Sequence, residues 1–135
     1  MRERLSNSAD IRLFKMDFEN VLEFLRSYAK KLVFEGKAEL VVLFGSLARG
    51  DYTAFSDADV LIIAENVPKL PWNRFSEYLE TKSPVDIEPR ILTKEEFYRM
   101  AVEKSMLVKE VLEYGIVLAG DPIILDKAKI LFKKG

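Results

Sequence analysis

The sequence predicts an α/β domain in which a small mixed sheet is flanked by helices. Two short apolar runs rich in branched residues, "AELVVLF" (Ala38 to Phe44) and "ADVLIIA" (Ala58 to Ala64), read as strands covered on both faces. Helical patterns surround them in the order helix, strand, strand, helix, strand, helix, the layering of a sheet packed between helices. The loop between the first two strands is about a dozen residues, ample for a wide hairpin or a short helical turn but short for a crossover helix. A mixed sheet is therefore expected rather than a purely parallel one.

Each element has its own signal. From Asp17 to Gly36 the apolar residues Phe18, Val21, Leu22, Leu25, Tyr28, Ala29, Leu32 and Val33 fall on one helical face, and Gly36 is a natural stop. After the two strands, prolines between Glu65 and Pro71 break regularity, and Pro71 suits the first position of a helix carrying Trp72, Phe75 and Leu79. "SPVDIEPRI" alternates apolar and charged residues between prolines, which suggests a strand near an edge. Thr93 with Glu96 forms a capping-box pattern that opens a helical stretch to Tyr114, bent or broken near Ser105 and ended by Gly115. "IVLAG" predicts a short final strand, and Asp121-Pro122 caps a C-terminal helix. One domain over residues 1–135 is expected, since the chain is too short for two typical cores.

Composition excludes several chemistries. The sequence has no cysteine and no histidine, which removes disulfides, thiolate metal sites, thiol nucleophiles and the commonest general base. Any metal chemistry must rest on carboxylates, which favours hard ions such as Mg2+. With 21 basic against 22 acidic residues, nothing supports a broad nucleic-acid-binding face. The N-terminal "MRERLSNSADIRLFKMD" has no apolar core of signal-peptide length, and no run approaches the roughly 20 apolar residues needed to span a bilayer. A cytoplasmic protein is expected. On the same grounds Arg49-Gly50-Asp51, a cell-adhesion tripeptide, reads as coincidence.

The chemistry-bearing residues concentrate around the first two strands. Asp57 and Asp59, two apart at a strand entrance, project from one face, and Leu61 and Ile63 continue that face into the core. Asp86 and Glu88 share one face of the later strand, so a third carboxylate can join the pair if the two strands are neighbours. Three converging anions repel unless a proton or a divalent cation intervenes. Two magnesium ions held by such a cluster could activate an attacking hydroxyl and steady a leaving pyrophosphate. Gly45-Ser46 ends the first strand with a turn that lets backbone N–H groups approach an anion, and Arg49 could add a guanidinium to a phosphate tail.

"GSLARGDYTAFSDADVLI" resembles the signature of the polymerase beta-like nucleotidyltransferases, and specifically their minimal nucleotidyltransferase (MNT) branch. Gly45-Ser46, the ten residues Leu47 to Ser56, and Asp57-Ala58-Asp59 match its spacing. Asp86 of "VDIEP" takes the place of the third carboxylate, with Glu88 as an alternative, and "EVLEYGIVLAGDP" resembles the segment that closes many such domains. The likeness covers about Val33 to Pro122.

The resemblance implies a mixed-sheet α/β fold and magnesium-dependent transfer of AMP from ATP to an acceptor hydroxyl. By that likeness Asp57, Asp59 and Asp86 would bind metal, Asp86 would also help deprotonate the acceptor, and Gly45 with Ser46 would hold the triphosphate. Stand-alone members often pair with a helical HEPN-domain toxin, which they neutralise by adenylylating a tyrosine or by binding. That role is the first expectation for this chain. Transfer to a small molecule such as an aminoglycoside, and a non-catalytic antitoxin module, are the rivals. The sequence is compatible with a homo-oligomer.

Overall fold

A computed structural model describes the backbone of residues 2–134 and the side chains of residues 18–134. In chain order the elements are α1 (Arg2–Phe34), β1 (Leu40–Phe44), α2 (Ser46–Arg49), β2 (Ala58–Ile63), β3 (Ile87–Leu92), α3 (Lys94–Val102), α4 (Met106–Tyr114), β4 (Ile116–Gly120) and α5 (Ile123–Lys134). The sheet order is β3-β2-β1-β4. β1 is antiparallel to β2 and β4, whereas β3 is parallel to β2, so the sheet is mixed as the loop length predicts.

Strand alternation sends side chains to two cores. On one face Val41, Leu43, Val60 and Ile62 pack with Val21, Leu25, Ala29 and Leu32 of α1. On the other, Leu40, Val42, Leu61 and Ile63 meet Phe97 and Ala101 of α3, Val108 and Val111 of α4, and Ile124 and Ala128 of α5. Phe44 pairs with Asp59 and Ala58 with Ile87, which gathers the end of β1 and the starts of β2 and β3 at one end of the sheet.

The stretch from Thr93 to Tyr114 breaks at Ser105 as expected and is two helices: Lys104 takes a left-handed φ of 57° after α3, and Ser105 caps α4 by accepting from Val108 N. The capping box at Thr93 and Glu96 is present, and the Asp121 carboxylate accepts from Ile123 N at 3.1 Å at the start of α5.

The helix predicted from Pro71 is a correction. Only a 3-10 turn forms, Pro71–Asn73, inside an otherwise irregular crossover from β2 to β3. The spacing of Trp72, Phe75 and Leu79 imitates a helical face, but all three are exposed, so no burial stabilises a helix there. The crossover is tied down by polar side chains instead. Arg74, only 3% exposed, donates to the carbonyls of Pro68, Lys69 and Ile91 and to both carboxylate oxygens of Glu96. Those bonds hold the Glu96 carboxyl below its ordinary pKa. Tyr28 donates to the Tyr78 carbonyl, and the Tyr78 hydroxyl donates to the Lys37 carbonyl at 2.7 Å. Among the described residues no helix is long and apolar enough to cross a membrane.

Candidate active site

The phosphate-cradle candidate begins where β1 stops. Gly45 has φ 76° and ψ −158°, a region that is essentially glycine-only. A Cβ added there would stand 2.1 Å from Asp59 Oδ2, so the absent side chain leaves the space the carboxylate occupies. Ser46 then opens the short turn α2, anchored by the buried Leu47, and no side chain caps its first N–H groups. Free amides and a hydroxyl at such a position suit an anion.

The carboxylates arrive in pairs. Parallel register sets Asp59 beside Glu88, and just before the register begins the Asp86 carbonyl accepts from Ala58 N at 2.8 Å, next to Asp57. Asp57 and Asp86 both line a polar pocket of about 290 Å³ with Phe55, Ser56 and Ser83. Asp59 is pushed up to about 6, first by burial and then by the charge of Glu88 and a hydrogen bond with it; Arg90 opposes the shift and Asp57 adds to it.

The structure thus brings Gly45, Asp57, Asp59, Asp86 and Glu88 to one end of the sheet. It does not close Asp57, Asp59 and Asp86 into one cage: among the described residues no group of three or more acidic side chains converges as metal ligands would. Arg49 is taken up by Asp51 (3.2 Å) and by Glu110 of α4 (2.6 Å). Sequence reasoning passed over Arg90, which lies two residues beyond Glu88 on the same strand face and lowers the Asp59 pKa. The alternation that revealed Asp86 and Glu88 carries that signal too.

The chain is similar to known proteins in sequence and in fold. The family described as "Nucleotidyltransferase domain" matches residues 21–118. Three proteins of Methanocaldococcus jannaschii bearing the name "Putative protein adenylyltransferase" are similar to the chain. MJ0141 is 31% identical, covering 71% of this chain and 96% of the relative. MJ1305 is 30% identical over 82% and 90%, and MJ1379 33% identical over 64% and 87%. Two solved structures share the fold. One is described as a toxin-antitoxin with AMP-PNP (TM-score 0.55, 20% identity, 81% of this chain and 87% of that chain). The other is a mutant of the toxin-antitoxin MntA-HpeT (TM-score 0.53, 18% identity, 81% and 87%). With a family match across most of its length and the glycine-serine and aspartate motifs gathered at one end of the sheet, the chain belongs to the nucleotidyltransferase domain family and is a nucleotidyltransferase.

Proposed function

We propose that this chain transfers AMP from ATP to a hydroxyl of a partner protein, a tyrosine of a HEPN-domain toxin, and so acts as its antitoxin. The observation that carries the transfer chemistry is the contact between Gly45 and Asp59, which sets an uncapped backbone turn directly against the Asp59 carboxylate. The acceptor class is supported by the relatives' name of protein adenylyltransferase and by fold neighbours described as toxin-antitoxins.

In this reading Gly45 and Ser46 hold the triphosphate, and Arg49, released from Asp51 and Glu110, reaches its tail. Asp57, Asp59 and Asp86 would hold Mg2+, two ions in the full complex, with Glu88 supporting Asp59. The donor set fits such ions. It is all oxygen, burial and then the charge of Glu88 raise the Asp59 pKa so that a cation there would relieve both, and magnesium commonly takes one or two protein carboxylates together with substrate phosphates. The bound metal would supply charge neutralisation at the phosphates. The acceptor hydroxyl oxygen attacks the α-phosphorus, the bond to the bridging oxygen breaks, pyrophosphate leaves, and the hydroxyl proton passes to the Asp86 carboxylate.

The test is to incubate the chain with Mg2+, ATP and the co-expressed protein encoded beside it, then read intact masses. An adenylyl adduct on that protein, lost with Asp57→Ala plus Asp59→Ala, is expected. Labelling of small molecules alone would overturn the acceptor class, and tight binding without any adduct would indicate a non-catalytic antitoxin.

A further inference from the structure

Along the free edge of β3 runs a groove of about 490 Å³, floored by Ile87 to Leu92 and walled by Pro71, Trp72, Phe75 and Leu79. Trp72 is 68% exposed and Leu79 60%, a concentration of apolar surface that a solvated loop does not require. The wall is preformed, because Arg74 and Tyr78 fasten the crossover on either side of Phe75.

The edge itself is closed to an added strand. Asp86 O accepts from Ala58 N and Leu92 O from Ala64 N, so even-numbered residues of β3 turn their peptide groups toward β2, and Ile87, Pro89 and Ile91 turn theirs outward. Pro89 brings no N–H to that edge, and the Ile91 carbonyl is already held by Arg74 at 2.9 Å. The groove therefore receives side chains, not a backbone ladder.

We propose that this groove docks the hydroxyl-bearing segment of the acceptor protein, its apolar side chains lying against Trp72, Phe75 and Leu79. The proposal rests on the transferase reading above and follows from the sheet order. The Gly45-Ser46 turn lies at the end of β1, the aspartate pair on β2 and the second carboxylate pair on β3, with neighbouring strands about 4.8 Å apart. In-line displacement puts the attacking oxygen opposite the leaving pyrophosphate. With pyrophosphate over β1, the hydroxyl enters over β3. Glu88 and Arg90 line the groove, and Glu88 also pairs with Asp59, so the apolar surface is continuous with the reacting centre. A volume of this size accepts a few large side chains.

Steady-state transfer to the adjacent-gene protein tests this, with KM for that protein and kcat measured separately and affinity for a non-hydrolysable ATP analogue as a check on the site. Trp72→Ser plus Leu79→Ser is expected to raise KM about tenfold or more while kcat and nucleotide affinity stay within about twofold. Phe34→Ser, at the exposed end of α1, should behave as the unaltered chain. An unchanged KM in the double variant, or the loss moving to Phe34→Ser, would overturn the groove assignment. A photoreactive phenylalanine analogue at position 72 should crosslink to the acceptor, and absence of that product is equally decisive should the double variant fold poorly. If the unaltered chain transfers nothing to the protein, both readings fall; transfer with an unaltered KM fells the groove alone.

Discussion

Replacing Gly45 with alanine puts a methyl carbon 2.1 Å from Asp59 Oδ2 and 3.0 Å from its Cγ, at a backbone φ of 76°. Two costs follow. Holding a non-glycine residue in this region costs about 1–3 kcal/mol. The overlap with a side chain must also be relieved, which moves the Asp59 carboxylate by roughly an ångström, and a displacement of that size at a reacting centre costs about 100-fold in rate. Gly45→Ala should therefore lower stability by the backbone cost of about 1–3 kcal/mol plus whatever the overlap adds, read in urea titration, and reduce kcat/KM for AMP transfer by about two orders of magnitude. The double variant Gly45→Ala plus Asp59→Ala separates the terms. Without the carboxylate the overlap disappears, so the double variant should be more stable than the sum of the single changes predicts. A Gly45→Ala protein of native stability and activity, or additive effects in the double variant, would refute the close packing of turn and carboxylate.

Arg74→Met should cost about 3–5 kcal/mol, because it strips a buried cation from Glu96 and leaves three carbonyls unpaired; a denaturant midpoint shift worth under ~1 kcal/mol would contradict the role given to it. Asp59 gives a pH dependence whose sign is fixed by its raised pKa: the folded, metal-free chain binds the proton more tightly than the unfolded one. The associated stability is complete below the ordinary aspartate range and lost as pH rises through about 6, and Asp59→Asn should flatten that slope in denaturation curves. Magnesium binding, followed by calorimetry, should weaken as pH falls below about 6, because the proton competes for the same carboxylate. Arg49→Ala should leave the melting temperature nearly unchanged, since its ion pairs are at the surface, but raise KM for ATP if the guanidinium reaches the triphosphate.

What was legible in the sequence is what local patterning encodes. The glycine at the end of β1, the Asp57–Asp59 spacing and the capping box at Thr93 depend on a few adjacent residues, and all three appear as read. The partnering of carboxylates was not legible, because it depends on the register between β2 and β3, strands joined by a crossover without a helix. Alternation put Asp86 and Glu88 on one face without saying which meets which aspartate, whereas the parallel register pairs Glu88 with Asp59 and bonds the Asp86 carbonyl to Ala58 N, next to Asp57. The Pro71 segment misled because helical spacing was present without a surface to bury it. Arg74, in the middle of that spacing, is the residue that organises the segment, and nothing in its flanking sequence marks a buried arginine.

The two halves of the site also differ in when they can form. β1 and β2 are joined across residues 45–57 and can pair as a hairpin, which brings Gly45 against Asp59 with little loop entropy. β3 must close the longer stretch across residues 64–86, and its docking depends on Arg74 reaching Ile91 and Glu96. The Gly45–Asp59 contact thus belongs to a local pairing, whereas the Asp59–Glu88 pair belongs to a longer closure fastened by Arg74, Tyr28 and Tyr78, so a change in the crossover should reach the β3 carboxylates before it reaches the Gly45 turn.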